Sequence, residues 1–388
     1  MTAPHAAPRW TDAALGGWRR VADPVTDPLS RQVLEAGGPA ALGRLTRQLD
    51  DWEAPLPDDL TPAMRAYFET PLAYPAWVDE SRIAHAEDLF AAYGPMTVSA
   101  LLLNGYSRFL TCPAGARAMY AARVFSPESI ASRMLEIVQF ALFMGGRDGL
   151  SLAPHTATSA ANAGRSAMAY RKLRIVHSNV RLLLTCDAAR DPWDERASGQ
   201  PINQEDLALG MLCFCLGSID GLENAGFVLS REDQEAMLMA WRAAVWLLGL
   251  VDELQPADIP DARALQQKML ERHQRGTREG AVVIREMLHI VEGLLPPGTR
   301  RIPAALVRFQ LGDRQADLID VPNSRWLLGL IRGTEPLWKS TRLFAWLSRL
   351  VSPRLLAWAS SPTRLGASNR FELPAALAGK LGSARDHR

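Results

Sequence analysis

At 388 residues, with 48% hydrophobic and 22% charged side chains, the chain has the composition of an ordinary globular protein, which excludes disorder, collagen and mucin-like stalks. Its 43 Lys+Arg against 42 Asp+Glu leave a net charge of +1, which supplies no field to hold a polyanion, so no nucleic-acid partner is expected. Length alone suggests about two to three domains, a prior that large helical folds break.

Residues 1–70 are rich in Pro, Gly and Asp, carry only short helical patches such as 29–49, and are expected to wrap the body as an N-terminal extension with little chemistry. Arg19-Arg20 is followed by Val-Ala-Asp-Pro, where an export signal would need an apolar stretch, so a cytoplasmic protein is expected. From 71 to 325 nearly everything has helical periodicity, and the alternation of strands is missing from every window long enough to matter. The longest charge-free window, residues 89–107, is expected to break at Gly94-Pro95, which leaves no convincing transmembrane helix. The fold class is therefore all-α, with one large helical domain.

Helix starts are marked by Ser126-Pro127-Glu128, by Asn203-Gln204-Glu205-Asp206, and by Ser230-Arg231-Glu232-Asp233, which has the pattern of a capping box. The helix after Pro127 carries an apolar face of Met134, Ile137, Val138 and Ala141, with Phe140 and Met144 on its flank and Arg133 at its edge, where a guanidinium can enter a pocket or reach water. Residues 145–165 are small, polar and punctuated by Gly and Pro, which predicts a loop; further breaks are expected at 187–201 and 294–303.

In the next helix Leu173, Val176, His177, Val180 and Leu184 recur on one stripe, so the imidazole points inward. Such a histidine is either a core residue bonded to a carbonyl or carboxylate, or a metal ligand. Around it stand Arg171, Lys172, Arg174 and Arg181, which either form a solvated basic face or pair with carboxylates of a bound group. The other histidines fall in chain ends, the polar loop, or charged helix surfaces (His85, His273, His289). Cys112, Cys186, Cys213 and Cys215 form no CxxC pair, which argues against a disulfide scaffold or a thiolate zinc site. Residues 326–388 form a C-terminal tail that mixes Trp and Leu with Arg and Lys; a basic amphipathic helix there can close the protein's own core, meet a partner subunit, or rest on a membrane surface as a peripheral contact.

The stretch KLRIVHSNVR resembles the His-containing motif of the latex clearing proteins, the bacterial rubber oxygenases, and of the wider MpaB-type oxygenase family. PAWVDESRIAHAEDLFAAYGPMTVSALL, the run from Pro201 to Pro256 and RFQLGDRQADLIDVP resemble further elements of that family in the same order, over residues 72–323. The resemblance implies an all-helical body with a globin-like core around haem b. It implies His177 as the iron ligand, Arg133 as a residue close to the haem and needed for activity, and Met134, Ile137 and Arg181 as residues about the cofactor. Where latex clearing proteins carry Lys and Thr after that Arg, this chain has Glu136 and Ile137; Glu136 is expected to bond Arg133 or act as a base. The implied activity is that of an oxygenase using O2 on a hydrophobic unsaturated substrate of lipid or isoprenoid kind, by C=C cleavage or oxygenation. The alternatives are a haem-binding sensor or carrier, and a helical family member without cofactor.

Overall fold

The structure is a computed structural model and describes residues 9–50, 54–125, 140–142, 144–152, 160–186, 193–294 and 298–341. Among the described residues every regular element is a helix, as the missing alternation predicts. The N-terminal part holds α1 (Asp12–Trp18), α2 (Asp27–Asp50) and α3 (Pro62–Glu69). α2 consists of two arms, because Gly38 sits at φ +67° immediately before Pro39. Among the described helices, α2 packs most extensively along α6 (Ala160–Thr185). The N-terminal segment thus lies beside the helix that carries His177.

α4 (Glu80–Ala100) starts on the Asp79 side chain, which accepts from the Ser81 and Arg82 amides. The expected break at Gly94-Pro95 does not occur: Pro95 lies inside α4, and the chain runs on through a π-helical turn, Leu101–Tyr106, to Phe109. Proline removes one backbone donor, and packing of α4 against α7 (Gln204–Asn224) and α8 (Arg231–Leu247) outweighs that loss. α5 (Pro113–Phe125) follows. The loop predicted at 145–165 is shorter than expected, since α6 is already helical from Ala160.

α7 is buried on nearly every side and forms the axis of the main core. Asn203 caps it by accepting from the Asp206 amide at 2.9 Å, and the capping box of Ser230 and Asp233 opens α8, both as the sequence predicts. The start expected at Ser126 lies outside the described residues. α7 crosses the π-helical turn backbone to backbone: a Cβ on Gly217 would stand 2.4 Å from the Gly105 Cα, and one on Gly105 would stand 2.6 Å from the Cys213 carbonyl oxygen. Cys112, Cys213 and Cys215 are free and buried.

α9 (Ile259–His273), α10 (Arg278–Leu294) and α11 (Ile302–Leu311) complete the body, and α12 (Arg325–Thr341) closes against it. Trp338 of α12 donates its indole N–H to the Asn224 carbonyl at 3.4 Å and meets Phe309 edge to face. Trp326, Leu330 and Leu337 of the same helix stay more than half exposed. The rest of the expected tail, 342–388, lies outside the described residues. No described helix is long and apolar enough to cross a membrane.

Candidate functional site

α6 places His177 between an apolar flank and an ionic one. Its neighbours Ile175, Val176, Val180 and Leu184 are buried against Leu45 and Leu49 of α2, Met64 and Phe68 of α3, and Trp193. The imidazole is half-buried, and its Nδ1 is inaccessible to water and has no hydrogen-bond partner. A satisfied core histidine would bond a carbonyl or carboxylate there, and this one does not. Burial first, and the Arg181 charge second, push the His177 ring down to about 4, against an upward pull from Asp23. The ring is therefore a neutral nitrogen base at physiological pH, the form in which imidazole ligates a metal.

The four cations around it form neither a solvated face nor a set of free donors. Arg171 donates to the Phe68 and Thr70 carbonyls, and Lys172 to the Ala54 carbonyl. Arg174 holds Asp23 with Nε and Nη2 at 2.6 and 3.0 Å. Arg181, expected at a cofactor carboxylate, has other partners: Nε reaches both Asp27 oxygens at 3.0 and 3.1 Å, and Nη1 the Pro201 and Ile202 carbonyls at 3.2 and 2.6 Å. Burial pushes the Asp23 carboxyl up, but the Arg174 guanidinium more than offsets this and holds it below the usual carboxylate range. Ser178 donates to Asp27 and shares a 2.6 Å bond with Thr26, so α6 is pinned on this side by Asp23, Thr26 and Asp27. Each of these partners lies more than 150 residues in sequence from the residue it holds, and no local spacing reveals them.

Two turns before His177 on the same stripe stands Tyr170, which the sequence reading passed over and which extending the stripe backwards would have found. It is fully buried, and its hydroxyl has no hydrogen-bond partner. Its ring meets Phe140 edge to face at 5.2 Å, within a cluster that includes Ile83, Met144, Leu150, Ala243 and Leu247. Phe140 follows Arg133 by seven residues. Arg133, Met134, Glu136 and Ile137 lie outside the described residues.

A separate cavity of about 60 Å³ lies between α4, α7, α8 and residues 141–150. Its walls are apolar, with Phe90, Leu101, Met144 and Trp241 among them, and Glu87 is its one carboxylate, pushed up to about 7 chiefly by burial. It does not touch His177, and it is too small for a macrocycle.

Of the histidines expected on charged surfaces, His289 is exposed, while His273 and His85 have acidic partners. His273 bonds the buried Glu205 at 2.9 Å beside Arg272, and His85 bonds Asp233 at 2.7 Å. Arg19 joins the first of these clusters through Asp206, fixing the N-terminal segment to α7. Among the described residues no three His, Cys, Asp or Glu side chains are grouped so as to hold a metal ion.

The family model described as ER-bound oxygenase mpaB/B'/rubber oxygenase, catalytic domain, matches residues 146–360, a span that includes Tyr170, His177 and Arg181 but not Arg133. The rubber oxygenase of Streptomyces sp. (strain K30) is 26% identical over 344 residues, which cover 86% of this chain and 81% of that protein. Among solved structures, latex clearing protein in its closed state superposes with a TM-score of 0.63 at 22% identity, covering 98% of this chain and 95% of that one.

Proposed function

The chain belongs to the mpaB and rubber-oxygenase catalytic-domain family, and from that premise we propose that it is a haem b-dependent oxygenase that uses O2 on a hydrophobic unsaturated substrate of isoprenoid or lipid kind, by C=C cleavage or oxygenation. The observation that carries the haem is the His177 Nδ1, an inaccessible nitrogen with no partner on a ring that burial and Arg181 keep neutral. A neutral imidazole is a haem-iron ligand, so His177 is the residue that would hold the group. When bound, haem supplies the one-electron and O2 chemistry that no protein side chain provides.

The protein's own part is to hold and shape. The Arg174–Asp23 and Arg181–Asp27 pairs fix α6 against the start of α2, which sets the direction in which His177 projects. The Arg181 charge opposes protonation of the ring and so keeps the lone pair available. The family resemblance supports Arg133 as a residue needed for activity, Met134 and Ile137 as residues about the cofactor, and Glu136 as a partner of Arg133 or a base. Apolar walls exclude water and favour a substrate of the polyisoprene type over a polar one.

Oxygen consumption with squalene as the apolar polyene tests the oxygenase reading. The expected result is consumption that requires squalene and is lost in Arg133→Ala while the haem absorption is kept. Haem absorption with no substrate-dependent consumption would instead identify a haem carrier or sensor.

A further inference from the structure

The His177 helix carries a second buried group with nothing to bind. Tyr170 is 0% exposed, and its hydroxyl is without a partner. Of the side chains in its cluster, Tyr74 alone carries an oxygen, and that hydroxyl donates to the Leu150 carbonyl and makes no bond with Tyr170. In the folded protein alone, the phenol is thus inferior to a phenylalanine, because an unpaired hydroxyl is desolvated for no return. Seven residues bring Tyr170 back to within about 20° of the His177 direction on the helix and about 10 Å along its axis. Arg171 Nε and the Asn179 amide are also unpaired on α6, but they project from other faces.

One small ligand cannot satisfy two groups that far apart, whereas a macrocycle held at its centre by His177 extends along the helix. We propose that Tyr170 is a positioning residue that donates its hydroxyl to a carboxylate oxygen at the edge of the haem whose iron His177 holds. This inference rests on the haem reading above. It names an uncharged donor that, among the described residues of that face, the fold leaves unused, since Arg171, Lys172, Arg174 and Arg181 are engaged with carbonyls, Asp23 and Asp27. Burial pushes the Tyr170 ionisation well above its ordinary range, so the phenol keeps its proton and acts as a donor.

The test compares wild type with Tyr170→Phe in the full chain, with and without haem. Without haem, the thermal midpoint of Tyr170→Phe should equal or exceed that of wild type. With haem, transfer of the cofactor to an excess of a haem-scavenging apoglobin should be roughly tenfold faster, the loss of one charge-assisted hydrogen bond. With haem dimethyl ester, whose carboxylates are masked, the two proteins should release the cofactor at closely similar rates. Equal release of ordinary haem, or a lower midpoint of the haem-free variant, would overturn the inference. Haem retention that depends on His177 but is unchanged in Tyr170→Phe would sink this inference alone, and a wild type that takes up no haem would sink the functional reading with it.

Discussion

The rings of Phe140 and Tyr170 meet edge to face, with centroids 5.2 Å apart and planes at 77°. This contact joins the segment that follows Arg133 to the helix that carries His177. Arg133 lies seven residues before Phe140, and His177 seven residues after Tyr170, so the aromatic pair stands at one end of both motifs. Truncating Phe140→Ala removes the ring from a packed cluster and should lower stability by about 2 kcal/mol, below the cost for a fully buried Phe because Phe140 is only half-buried. Equilibrium urea unfolding measures it, and an unchanged midpoint would mean that the contact does not hold the two segments together.

Asp27→Asn leaves the Arg181 guanidinium, 3% exposed, without its charged partner. Removing one member of a buried pair is strongly destabilising, and here about 3 kcal/mol is expected, since the Pro201 and Ile202 carbonyls still accept from Nη1. Replacing Arg181→Met together with Asp27→Leu should recover a good part of that loss. Denaturant midpoints of the single and double variants decide it.

His177 also predicts a pH dependence. Its folded-state value, about 4, lies below the ordinary 6.5, so between these values the unfolded chain binds more protons than the folded one. Stability from this group is therefore fully present above about pH 6.5 and is lost as pH falls toward 4, by up to about 3 kcal/mol. The difference in unfolding free energy between haem-free wild type and haem-free His177→Gln, measured from pH 7 to 4, should shrink in that direction. A difference that stays flat across the window would show that the ring titrates normally.

Gly217→Ala tests the crossing of α7 with the π-helical turn. The added Cβ would meet the Gly105 Cα at 2.4 Å, a backbone atom that cannot rotate away. Helix propensity alone would favour alanine by about 1 kcal/mol, so a net loss of about 1–3 kcal/mol in thermal unfolding identifies the close approach as the stronger effect.

The all-helical class was legible because periodicity and caps are local: Asn203, Ser230 and Asp233 do in space what their spacing implies. The inward stripe of α6 was legible for the same reason. The ionic surroundings of His177 were not, because Asp23 and Asp27 meet Arg174 and Arg181 across more than 150 residues of sequence. A basic cluster in sequence is compatible with solvent, with a bound anion, or with buried acids, and only tertiary packing selects the last. Pro95 was read as a break because its local cost is visible in sequence and the compensating packing on α7 and α8 is not.

The central claim is that His177 holds haem, and the absorption spectrum of the purified protein after expression with ample haem tests it most directly. The account predicts a Soret band in wild type that is abolished or strongly diminished in His177→Ala, with far-ultraviolet circular dichroism showing the same helix content in both. A wild type that is colourless although fully helical, or an undiminished band in His177→Ala, would contradict it.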